Sequence, residues 1–60
     1  MKTTEIHRVA SSYLSAHGDV AEAEVAQKAV AAEADGDEDG AKNWRAVRLA
    51  IREMRGAHQS

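Results

Sequence analysis

Apolar positions recur along this chain with the period of a helix three times over. Ile6, Val9, Ala10, Tyr13 and Leu14 fall at i, i+3, i+4, i+7 and i+8, the spacing of one helical face. Thr3 or Thr4 is placed to cap that helix, with Glu5 in the first turn where the helix dipole favours an acid. His17-Gly18 ends it, because glycine supplies the left-handed position past a helix terminus. Asp19 follows at once as the next expected N-cap, with Glu22 three residues on as an Asp variant of the capping box. So short a turn predicts antiparallel or steeply crossed neighbours.

The second helix is expected from about Val20 to Ala34. At 100° per residue, Ala21, Val25, Ala29 and Ala32 make one narrow stripe. Ala23, Ala26, Val30 and Ala34 make another, separated from the first by Glu22 and Glu33. One strip belongs to the core. The other is either solvated alanine, which is common, or a contact surface. Asp35-Gly36-Asp37 breaks the pattern, and Asp37 is a good N-cap with Glu38 and Asp39 in the turn after it. Trp44, Val47, Ile51 and Met54 then form the buried stripe of a third helix, with Ala50 beside them; Gly56 ends it and Gln59-Ser60 frays. No run alternates with period two. The pattern predicts a single all-α domain over residues 1–60, an up-down-up three-helix bundle with helices at about 4–17, 20–34 and 38–55. Its core anchors are Ile6, Tyr13, Leu14, Val25, Trp44, Val47, Ile51 and Met54.

Composition sharpens one point. A chain of 60 residues buries only about 60% of the surface it exposes when unfolded, so its stability is thin. Much of its apolar content is alanine, which contributes little area. There is no Cys, which removes disulfides and thiolate metal sites and fits a reducing cytosol. The N-terminus has no apolar run of signal-peptide length and no stretch approaches a membrane span, so a soluble cytoplasmic protein is expected. Self-association or docking on a partner protein would supplement such a core.

Charge is strongly polarised beneath a total of −2. Residues 1–18 sum to +1, with Lys2 and Arg8 against Glu5. Residues 19–39 sum to −7, with eight acids against Lys28, and residues 40–60 sum to +4, with five cations against Glu53. The five, Lys42, Arg45, Arg48, Arg52 and Arg55, step down one side of the third helix. Three readings fit them: a solvated face paired with the acids of the second helix, a surface for an acidic protein, or a set of phosphate contacts on nucleic acid. The last ranks lowest, because the whole domain is acidic, with pI near 5.8, and no aromatic residue interleaves the arginines as a stacking platform.

The order His17-Gly18-Asp19, then an alanine-rich helix, then Ala34-Asp35-Gly36-Asp37 with Gly40, Trp44 and Ala50-Ile51-Arg52-Glu53-Met54, resembles a family of short uncharacterised bacterial helical proteins. The likeness spans roughly Val9 to Met54. Its motifs are capping and packing residues, so the resemblance implies a helical hairpin and transfers no active site or assigned activity. This chain departs from the pattern in its alanines along the second helix and its heavier acidic cluster at Asp35 to Asp39.

Sites with chemistry are scarce. Asp35-Gly36-Asp37-Glu38-Asp39-Gly40 matches the first half of a calcium loop, D-x-D-x-D-G. The second half fails: Ala46 stands where a bidentate Glu should close the shell, and Lys42 where an apolar residue belongs. A turn with an N-cap is the plainer reading. His7, His17 and His58 share no metal-ligand spacing. Ser11, Ser12 and Ser15 lie in a helix without a nucleophile elbow. No cofactor, metal or catalytic residue is expected, and an enzyme is disfavoured. The sequence reads as a non-enzymatic protein-interaction module, with a second copy in a homodimer or another protein as its partner. Its candidate surfaces are the stripe Lys42, Arg45, Arg48, Arg52 and Arg55 and the strip Ala23, Ala26, Val30 and Ala34. The alternative is a small nucleic-acid-associated regulator using the basic face.

Overall fold

The computed structural model describes residues 1–56 and, over them, is helical with no strand. The expectations for His58 and for fraying at Gln59-Ser60 lie outside the described residues. Helix α1 runs Thr3–His17, a single 3-10 turn occupies Gly18–Val20, α2 runs Ala21–Ala34, and α3 runs Glu38–Gly56.

The joint between α1 and α2 differs from expectation. Gly18 adopts positive φ (60°), but with ψ at −128° it is a C-cap outside the left-handed helical region expected of it, and its N–H donates to the Leu14 carbonyl. The chain then enters the 3-10 turn with no coil residue between, so residues 3–34 form one long bent helical stretch. Asp19 therefore sits inside the turn instead of capping α2; the capping position is Val20, which has no side chain able to cap. Threonine capping of α1 is likewise absent: the N-cap is Lys2, without a side-chain bond, and the Ile6 N–H reaches the Lys2 carbonyl instead.

The turn into α3 follows its sequence signals closely. Gly36, at φ 76°, is the left-handed residue past the end of α2. Its N–H donates to the Glu33 carbonyl at 3.1 Å, and the Asp37 N–H to the Ala32 carbonyl at 2.9 Å. Those two bonds are the Schellman pair, which satisfies carbonyls that a helix end leaves open. Asp37 Oδ1 then accepts from the Gly40 N–H at 3.0 Å, capping α3. A Cβ on residue 40 would run into that carboxylate, so glycine there makes room for the cap.

With this turn α2 folds back antiparallel on α3. Glu33 faces Arg45 near one end, while Glu22 faces Arg48, Arg52 and Arg55 toward the other. The close packing is made by alanine: Ala21, Ala29 and Ala32 of α2 and Ala41 and Ala50 of α3 are buried, as is Ala10 of α1. Among the described residues only Val25, Val47 and Ile51 bring larger side chains fully inside. Ile6, Val9, Tyr13, Leu14, Trp44 and Met54 are half-buried around them.

Helix α1 meets α3 differently. The Met1 amino group donates to Asn43 Oδ1 at 3.3 Å, and Tyr13 packs edge-on against Trp44, the next residue. Thr3 and Tyr13 stand about 15 Å apart along a helix axis, so α1 crosses α3 at this turn instead of running down its length. Contacts between α1 and α2 are few. The up-down-up bundle is thus corrected to a bent α1–α2 stretch with α3 laid against both arms. The outline is elongated, 38 × 22 × 19 Å.

Two substitutions test this packing. Asp37→Ala removes the α3 cap and should cost about 1 kcal/mol, lowering the melting temperature by about 4–8 °C for a domain of this size. Ile51→Ala should cost about 2–5 kcal/mol, enough to leave much of the chain unfolded in a calorimetric or circular-dichroism melt at ambient temperature.

Candidate interaction surfaces

Alpha-helical phase sorts α2 into two sides. Ala21, Val25, Ala29 and Ala32 face inward. Ala23, Ala26, Val30 and Ala34 lie nearly opposite; Val30 is 63% exposed, Ala23 and Ala34 are exposed, and Ala26 is half-buried. The strip that the sequence left open between core and surface is therefore the outer one.

The arginine ladder lies along the seam between α3 and α2. Arg45 makes the tightest contact, its guanidinium donating to Glu33 Oε2 at 2.9 Å. Further along, three guanidiniums converge on one carboxylate. Arg48 Nε and Arg52 Nε approach Glu22 Oε2 at 3.5 and 3.6 Å, and an Arg55 guanidinium nitrogen approaches Oε1 at 3.6 Å. Arg55 also lies 3.9 Å from Asp19, whose side chain is fully exposed. At these separations the contacts are ion pairs without hydrogen bonds. Lys42 lies apart from them, on a shallow depression shared with Glu33, Glu38, Asp39 and Arg45.

The next side of α3 carries Leu49, 57% exposed. With Arg45, Arg48 and Arg52 it lines a shallow depression of about 220 Å³. Sequence reasoning did not single Leu49 out, although its step of four from Arg45 and three from Arg52 places it beside the ladder.

A second cluster sits where the three helices approach one another. The Tyr13 and His17 rings stack at 5.4 Å, Tyr13 meets Trp44 edge-on at 6.0 Å, and Lys28 Nζ lies 5.5 Å from the Trp44 ring centroid. His17 Nδ1 is 3.1 Å from Glu24 Oε1. These contacts give both aromatic residues structural partners and tie α2 to the α1–α3 crossing.

The loop Asp35–Gly40 does not gather its acids. The Asp37 carboxylate is occupied by the Gly40 N–H, and α3 already begins at Glu38. Among the described residues no group of three His, Asp or Glu side chains is arranged to hold a metal ion. His7 and Ser11, Ser12 and Ser15 are exposed on α1. Among the described residues no helix is long and apolar enough to cross a membrane. Comparison with known proteins found no family model, no curated protein and no solved structure that matches the chain.

The three-to-one cluster has a measurable signature. Glu22→Gln leaves Arg48, Arg52 and Arg55 to repel one another. Exposed pairs of this kind are worth about 0.2–1 kcal/mol each. The variant should melt a few degrees below the parent at low salt, and most of the difference should vanish near 0.5 M salt, where the screening length shrinks to a few ångströms.

Proposed function

We propose that this chain is a small non-enzymatic protein-interaction module, cytoplasmic and able to self-associate, in which three short helices make a scaffold organised by α3. The observation that carries the reading is the outward strip of Ala23, Val30 and Ala34, exposed, with half-buried Ala26, opposite a core in which, among the described residues, only three side chains larger than alanine are fully buried. The strip's steps of three, four and four residues suit the seam of another helix, and its small side chains permit close approach. A domain of this size gains stability when a partner covers further apolar surface. The engagement of Trp44 and Tyr13 with each other, which leaves no aromatic platform beside the arginines, supports an interaction role over nucleic-acid regulation.

Sedimentation across micromolar to millimolar concentrations tests the reading. The parent should show a concentration-dependent rise in mass, and Val30→Asp, at an exposed position, should stay folded and monomeric. A parent that is monomeric throughout removes self-association; a Val30→Asp variant that associates like the parent removes the strip as its surface.

A further inference from the structure

Arg48, Arg52 and Arg55 carry far more donor capacity than the described residues use. Each guanidinium offers five N–H groups, while one carboxylate offers about four acceptor positions. The three share Glu22 at 3.5–3.6 Å. Among the described residues none of them donates a side-chain hydrogen bond, whereas Arg45 does. Their side chains remain 45%, 62% and 43% exposed. Unspent, solvent-facing guanidiniums suit planar oxyanions, which they take in paired hydrogen bonds.

What lies beside them narrows the class of ligand. Leu49 stands exposed against Arg45, Arg48 and Arg52 in one shallow depression. A phosphate backbone has nothing apolar to set on that leucine. Both aromatic rings that could stack on a base pack against each other where α1 crosses α3. Glu22, in the middle of the cluster, opposes a doubly charged phosphate monoester more than a singly charged carboxylate. A helix bearing Glu or Asp beside a leucine-like residue satisfies both halves of the surface. Its carboxylates take the free N–H groups, and its apolar residue covers Leu49 and removes water from the pairs around it, which strengthens them.

We propose that the α3 face formed by Leu49, Arg48 and Arg52, with Arg45 and Arg55 at its ends, docks an acidic amphipathic helix of a partner protein. The assignment rests on the interaction-module reading but uses a different face from the α2 strip. Arg48 and Arg52 trade a long contact with Glu22 for hydrogen-bonded pairs with the partner, an exchange that costs little because exposed ion pairs are weak.

The probe is a synthetic, fluorescently labelled helix of Glu, Ala and Leu with its leucines on one face, followed by anisotropy at low salt. Controls are the same peptide with Leu replaced by Ser, a DNA duplex and a single-stranded RNA. Saturable binding of the Leu-bearing peptide is expected, weakening as salt rises. Leu49→Ser and the double variant Arg48→Gln/Arg52→Gln should each weaken it about tenfold or more. Glu22→Gln should tighten it severalfold, because it removes the internal competitor even though it lowers the melting temperature. Val30→Asp should leave it unchanged, so loss of self-association and loss of peptide binding report separately. Circular dichroism confirms that these surface variants are folded. Absence of saturable binding overturns the proposal. So does equal binding by the Ser peptide, tighter binding of either nucleic acid, or loss of binding in Val30→Asp with Leu49→Ser unaffected.

Discussion

Close approach of α2 to α3, permitted by alanine, is the constraint from which the rest of this small structure follows. Ala21, Ala29 and Ala32 on one helix and Ala41 and Ala50 on the other keep the seam narrow. A narrow seam leaves no room for polar side chains inside, and the described residues contain no buried polar or charged side chain. Long charged residues are therefore displaced to the rim, where arginine stems reach over the seam to glutamates on the other helix. The same narrowness limits the area the core can bury, since alanine removes little apolar surface from water. Tight contact and modest stability thus have one cause.

Local signals were legible wherever a single residue's backbone preference or hydrogen bond decided the outcome. Gly18 and Gly36 took positive φ, and Asp37 capped α3. All-helical character followed from the period of the apolar positions. Where two local options competed, the sequence was less informative. Asp19 is a good N-cap, yet the chain bent at Gly18 and passed directly into a 3-10 turn with no coil residue between, and that left no place for a cap. The two strips of α2 could not be ranked from phase alone, because alanine at the surface and alanine in a core look the same until a neighbouring helix is placed. The crossing of α1 over α3 was also invisible, being set by a meeting of Tyr13 with Trp44 across more than thirty residues of chain.

The candidate surfaces show the same division. The arginine spacing announced a ladder, but not that three of its members would share Glu22 while Arg45 alone found a hydrogen-bonded partner. That distribution depends on the lateral offset between two helices, and no spacing along one helix encodes it. Leu49 gained its interest only from its exposure beside those arginines. Polarity along the chain, by contrast, was fully written in the sequence. The hairpin turn at Asp37 converts it into a lateral arrangement, setting the acids of α2 beside the cations of α3.

Trp44 stands at the meeting point of the fold, on α3, edge-on to Tyr13 of α1 and beneath Lys28 of α2. It is also the chain's one tryptophan. The indole's surroundings therefore combine a ring from the first arm, a cation from the second and the backbone of the helix that joins them. A change in any of the three junctions alters the polarity or the quenching around a single chromophore. The protein thus carries its own optical gauge of whether all three helices are in place.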